Sequence, residues 1–158
     1  MKLYIAWERR WNGQLIVTDV QGQVHYRFEE KLWSLLTLRR KLRVFDRNQR
    51  EVAFIQQKWV LMKGKYYVYR EGRLAAVIRE KWSWGEKYTI EQMGWTITGS
   101  KSPYEYVISK ADTPLVRVTK GKLDSAMRFE LDFLEEADEL IACIAVIVID
   151  YMANDEHP

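Results

Sequence analysis

Two histidines, one cysteine and no glycine-rich motif leave this 158-residue chain little with which to do catalysis. A Ser, Cys or Thr nucleophile needs a neighbouring base. His157 stands next to the C-terminus, and His25 alternates with core-type positions, so it is expected to face solvent. Cys143 lies inside an apolar run and reads as an inert core thiol. A single cysteine forms no disulfide within the chain, which suits a reducing compartment. Glu29 and Glu30 are neighbours on a predicted strand and would point to opposite faces. Glu135 and Glu136 look like charge at a helix start. No Cys, His or carboxylate set has metal-ligand spacing, and neither a dinucleotide fingerprint nor a phosphate loop occurs. The expectation is therefore no catalytic residue, no metal and no cofactor. A hydrolase or transferase with an unrecognised carboxylate site stands as the alternative.

The positive signal is electrostatic. Residues 39 to 81 carry 13 Lys or Arg against 4 Asp or Glu, a balance of +9, although the whole chain is only +3. Residues 124 to 158 carry 1 against 10, a balance of −9. The plain reading is that the two regions neutralise each other around one domain. The functional reading is a basic face for an anionic partner. Arg39, Arg40, Lys41 and Arg43 form the densest cluster, with Lys63 and Lys65 in a later loop. At a barrel rim these residues would clamp phospholipid head groups, each basic residue near an anionic surface contributing about 1 kcal/mol. Trp59, Leu61 and Met62 lie beside the second group and could dip into the interface. The plainer alternative is a solvated loop with packed aromatics. Nucleic acid is the weaker partner, because the strand aromatics that would stack bases are numerous enough to be core.

The elements that must carry these residues are organised around Leu140 to Ile149, an unbroken apolar run. Acids precede it and Asp150 closes it. No Gly or Pro occurs from Glu135 to Met152, a span of about 27 Å at about 1.5 Å per residue. This predicts a helix over about 135–152, apolar on every side and so buried. It is too short for a membrane span, which needs about 20 apolar residues. A final buried strand competes with this reading, since several residues of the run are β-branched.

Everything before residue 134 reads as short alternating strands separated by turns. Turn signals stand at Asp19–Gly22, Asp46–Gln49, Glu71–Gly72 and Ala111–Pro114. The pattern predicts an antiparallel sandwich or barrel. An internal repeat sharpens it: Ala53-x-Ile55-x-x-Lys58-Trp59 recurs as Ala76-x-Ile78-x-x-Lys81-Trp82. Tyr26-x-Phe28-x-x-Lys31-Leu32 is a looser copy and Val116-x-Val118-x-Lys120 a degraded one. Residues two apart should face the core, and the Lys should sit in water at the strand end. Repeated hairpins close best as a barrel, which removes exposed edges. A wide barrel could take the apolar helix as its axle. Met1-Lys2 opens straight into alternation, with no apolar leader, so a cytoplasmic protein is expected.

In these features the chain resembles the LURP-one-related family of the tubby C-terminal-like superfamily. The resemblance rests on the two Ala-x-Ile-x-x-Lys-Trp repeats, Lys65 to Tyr69, Gly94 to Gly99, Tyr104 to Ile108, and the ending Phe129 to Leu131 followed by Ala145 to Asp150. It covers nearly the whole chain. One departure is Lys120 to Ser125, where relatives often carry a Trp-x-Trp-Gly-type turn; here Trp82-Ser83-Trp84-Gly85 comes earlier. The resemblance implies a mainly β, single-domain protein over 1–158. About twelve strands within 2–133 would form a closed antiparallel barrel around the C-terminal helix. It implies less about function; taken with the basic 39–81 region, it leads to the expectation of a non-enzymatic binding or scaffold module, with anionic membrane lipid or a protein as partner, peripheral to a membrane. Tubby proteins bind phosphoinositides, but their lipid-site residues have no clear counterpart here.

Overall fold

The computed structural model describes residues 1–8, 14–30, 39–60, 63–80, 86–99, 105–123 and 126–155. Twelve strands run in chain order: β1 (Lys2–Glu8), β2 (Gln14–Thr18), β3 (Val24–Glu30), β4 (Lys41–Asp46), β5 (Glu51–Val60), β6 (Lys63–Arg70), β7 (Arg73–Glu80), β8 (Glu86–Glu91), β9 (Trp95–Gly99), β10 (Glu105–Lys110), β11 (Thr113–Leu123) and β12 (Ala126–Phe133). Each pairs antiparallel with its neighbour, and β1 pairs with β12, so the sheet closes and no strand is left as an edge. Inward positions form cross-strand sets such as Val17–Ile5–Phe129 and Val44–Ala53, all buried.

The apolar run is the axle. Helix α1 (Glu139–Asp155) fills the barrel, and every residue from Leu140 to Ile149 is no more than 6% exposed. Barrel closure explains why this β-branched stretch is not a strand. No ladder has room for another partner, so the run must satisfy its own N–H and C=O groups inside an apolar tube, and a helix does so. Each fully buried Ile, Leu or Val contributes about 1.5–3 kcal/mol, which outweighs the weak helix propensity of β-branched side chains.

The helix begins four residues later than its acids indicate. Asp138 is its N-cap: the Asp138 carboxylate accepts from Ile141 N–H at 3.1 Å, and the Asp138 carbonyl accepts from Ala142 N–H at 3.0 Å. Glu135 and Glu136 lie outside it, where Leu134 and Glu135 N–H donate to the Leu115 carbonyl.

One barrel end is made of tight turns. Glu71–Gly72 and Ala111–Asp112 are two-residue connections with positive φ at both positions (51° and 74°, 47° and 66°), the geometry that matches strand twist. Glycine tolerates this freely; Ala111 does not. The connections at the other end, with Lys31, Leu61, Met62, Lys81, Trp82 to Gly85 and Tyr104, lie outside the described residues.

The repeat follows strand parity. Ala53, Ile55, Ala76, Ile78, Phe28, Val116 and Val118 all point inward and are buried, and Lys58 points outward. The degraded copy departs from the expected Lys in water. Its Lys120 comes one residue sooner, so parity turns it into the barrel. There Lys120 Nζ donates to Asp150 Oδ1 at 2.9 Å, and each side chain is only 16% exposed.

Candidate anion-binding face

On β4, Lys41 and Arg43 alternate with buried Leu42 and Val44 and so stand on the outside of the barrel. On β6, Lys65 precedes buried Tyr66 and also points outward. Register then assembles what sequence distance conceals. Lys58 on β5 lies opposite Lys65 on β6, and Lys65 lies opposite Arg79 on β7. Ahead of β4, Gln57 N–H donates to the Arg40 carbonyl at 2.9 Å and Arg40 N–H donates to the Gln57 side chain at 3.0 Å. This carries the Lys41–Gln56 register one step on, to Arg40 and Gln57, and Arg39 stands exposed just ahead of it. Lys58, Lys65 and Arg79 therefore form one cross-strand row, about 10 Å long at a strand spacing of about 4.8 Å.

Like charges directly opposite one another repel. Two like charges held about 5 Å apart would cost about 1 kcal/mol in water and about 3 kcal/mol at an effective permittivity of 20, and long side chains that splay apart lower this. Little inside the protein offsets it. Arg79 pairs with Glu91 at 2.6 Å, and Lys58 Nζ sits 4.4 Å from the Tyr67 ring centroid. Among the described residues Arg39, Lys41 and Lys65 have no carboxylate partner. Arg39 is exposed, and Lys41 and Lys65 are partly so.

The other residues read from the sequence are placed differently. Arg40 has the parity of Leu42 and turns inward, its guanidinium 4.1 Å from the ring centroid of Tyr151 on α1. Arg43 donates to Glu51 at 2.9 Å, and that bond pushes its pKa further up. Arg43 also lies 5.0 Å from the Phe45 ring centroid, so it stands on the outer face with its charge already matched. Lys63 and Lys65 lie on β6 and not in the expected loop; Lys63 opens the strand opposite Val60, and its side chain lies outside the described residues, as do those of Trp59 and its neighbours Leu61 and Met62. Lys58 and Arg79 were missed as site residues. Lys58 was visible in the repeat, but only the register shows that both share a row with Lys65.

The family model of LURP-one-related proteins matches residues 1–150. The chain belongs to the LURP-one-related family. The barrel also superposes on the X-ray structure of a protein from Arabidopsis thaliana with a TM-score of 0.66 at 15% identity, over 94% of this chain and 90% of that one; this is a likeness of fold. No curated protein sequence matches it.

Two further features of this LURP-one-related barrel differ from the sequence expectation. Several aromatics are not core: Phe45, Phe54, Tyr67 and Tyr69 alternate with buried Val44, Ala53, Ile55, Tyr66 and Val68 and face outward, half-buried. The interior is already filled by α1, the aliphatic side chains around it and a few rings such as Phe28, Tyr66 and Trp95.

His25 does not face open solvent either. The β2–β3 register shifts so that Val17 opposes Tyr26 and Thr18 opposes Val24, leaving His25 as an unpaired bulge residue. Its ring is 18% exposed, with Nε2 3.0 Å from Asp19 and Nδ1 3.7 Å from Glu139. The hydrogen bond from His25, with those from Gln23 and Gln21 N–H, holds the Asp19 carboxyl below its ordinary range. Arg70 bonds the N-cap Asp138. The acids here are engaged in anchoring α1 to the turns. Among the described residues no three His, Cys, Asp or Glu side chains converge as a metal site, and no helix is long and apolar enough to cross a membrane.

Proposed function

We propose that this LURP-one-related barrel is a non-enzymatic binding module whose β4–β7 face takes anionic phospholipid head groups, as a peripheral protein of a cytoplasmic membrane surface. The observation that supports this reading is the row Lys58, Lys65 and Arg79, flanked by Arg39 and Lys41, of which only Arg79 has a carboxylate partner among the described residues. A row that repels itself is relieved by polyanionic partners, and a bilayer surface supplies many phosphates at once. At about 1 kcal/mol per basic residue, the four cations without a carboxylate partner, Arg39, Lys41, Lys58 and Lys65, supply about 4 kcal/mol, enough for weak, reversible and salt-sensitive attachment. The densest acid group, Asp19, Asp138 and Glu139, is tied to His25, Arg70 and the helix cap, so no specific observation favours the carboxylate-enzyme alternative.

Vesicle sedimentation tests the reading. The protein should pellet with phosphatidylcholine vesicles holding about 30% phosphatidylserine at about 0.05 M NaCl, and not with neutral vesicles. Lys58→Glu with Lys65→Glu changes the face by four charges and should weaken binding by about a thousandfold. Failure to bind anionic vesicles at low salt refutes it.

A further inference from the structure

The outer face is graded as well as charged, and the grading says how it sits. Along the register, Arg43, Phe54 and Tyr69 form one cross-strand row, and Lys41, Gln56 and Tyr67 form the next. Lys58, Lys65 and Arg79 form the third, nearest the loop end, with exposed Arg39 ahead of β4. Three outward rings on β5 and β6 thus lie beside a line of cations. We infer that the barrel lies side-on against an anionic bilayer, with Tyr67, Tyr69 and Phe54 entering the head-group layer while the cation row meets the phosphates. This rests on the lipid reading above and adds an apolar, orienting component to it.

Three observations favour a bilayer over other anionic partners. First, the rings are not open platforms. Phe54 and Tyr69 lie against each other, centroids 6.4 Å apart and planes tilted 32°, and the Lys58 ammonium covers Tyr67 at 4.4 Å. A base needs a free ring face to stack on. What Tyr67 and Tyr69 can present is an apolar edge and a hydroxyl, which suits the membrane–water interface. Second, the wall of a closed barrel is convex. A convex wall touches a planar surface along a strip a few strands wide, which matches rings and cations confined to β4–β7; a single nucleic-acid strand is held in a groove. Third, the Lys58 ammonium lies over the Tyr67 ring at 4.4 Å, so a phosphate meeting Lys58 brings that ring to head-group depth.

The test separates the two contributions by salt. Charge attraction is screened strongly at about 0.5 M NaCl, where the Debye length falls to about 4 Å, and ring burial is not. Wild-type protein should keep measurable binding to phosphatidylserine-containing vesicles at that salt. Tyr67→Ser with Tyr69→Ser should lose the salt-resistant part, about tenfold for each ring that removes about 60 Å² of apolar surface from the interface. Tyr67→Phe with Tyr69→Phe should retain it. Lys58→Glu with Lys65→Glu should instead flatten the salt dependence. Near-ultraviolet circular dichroism shows whether each variant is folded, and the wild-type salt titration tests the inference without any variant. Binding that vanishes for wild type at high salt, or that the serine variant keeps, overturns side-on seating while leaving the charge reading standing. No binding even at low salt overturns the charge reading itself. Displacement from vesicles by a single-stranded oligothymidylate, lost in the serine variant, overturns the bilayer as occupant in favour of nucleic acid.

Discussion

Replacing Asp150 with Asn should destabilise the barrel by about 2 kcal/mol, through a lysine rather than through the helix. Lys120 points into the tube with Asp150 as its ion-pair partner, at 2.9 Å. At that separation and an effective permittivity of 20 the attraction is about 6 kcal/mol before desolvation is subtracted. Losing one partner of a fully buried pair costs about 3–5 kcal/mol, whereas an exposed pair is worth about 0–1 kcal/mol. Both side chains here are 16% exposed, closer to the buried limit. Two effects soften the loss. Asn keeps one acceptor for the ammonium, and removing a carboxylate from the C-terminal half of a helix returns about 0.3 kcal/mol. The Phe129 ring, 5.3 Å from Lys120 Nζ, holds a little more of the charge. Urea unfolding at neutral pH should show the loss as a lower midpoint at constant slope, with a fall of about 4–8 °C in Tm for a chain of this size. Lys120→Met with Asp150→Leu should return to within about 1 kcal/mol of the parent, because both charges leave the interior together. If Asp150→Asn costs under about 0.5 kcal/mol, or the two single losses simply add in the double variant, the pair is not what neutralises the lysine.

Three further outcomes follow from the same structure. Ala111→Gly should stabilise the fold by about 0.5–1 kcal/mol in the same urea assay, because Ala111 holds a φ of 47° in a two-residue turn; a loss would show that the side chain is needed there. Burial pushes Tyr26 up to about 12, and raises Tyr106, Tyr151 and Cys143 as well. The folded state then keeps protons that the unfolded chain releases from about pH 9–10 upward, so stability should fall above that pH, by up to about 1.4 kcal/mol per pH unit for each fully buried group. Tyr106→Phe should make that fall shallower at little cost at neutral pH, since its buried hydroxyl has no partner among the described residues; an unchanged slope refutes the assignment. For Asp19, whose folded pKa is lowered, the stabilisation is present above its unfolded value of 3.8 and is lost as pH falls through the folded value. The difference between wild type and Asp19→Asn should therefore be full near neutrality and close as the medium is acidified below pH 4, and a difference that persists in strong acid would exclude this origin.

Local pattern accounts for much of this protein. Period-2 alternation with turn residues at short intervals set the strands, because side chains on a strand face alternate sides and one side must be apolar. Leu140 to Ile149 had to be buried, since a helix without a polar stripe has no wet face to present. The Ala-x-Ile repeat pointed to equivalent hairpins for the same reason. The helix start came out four residues early because acids mark a neighbourhood, whereas a cap is one carboxylate reaching one N–H, Asp138 to Ile141.

The candidate site was only half legible. Arg39, Lys41, Arg43 and Lys65 follow from composition and parity. Lys58 and Arg79 join them only through the pairing of β5 with β6 and β6 with β7, contacts that no run of neighbouring residues encodes. Arg40 left the face because its position has inward parity at the mouth of a barrel whose axle ends in Tyr151. The outward aromatics and the inward Lys120 have the same origin. A chain's alternation says that two faces differ, but closure of the sheet around α1 decides which face is inside and how much room remains there. The sequence alone therefore determined the elements and their apolar faces, which depend on neighbours a few residues apart. The tertiary structure decided which charges stand abreast, because that depends on the register between strands.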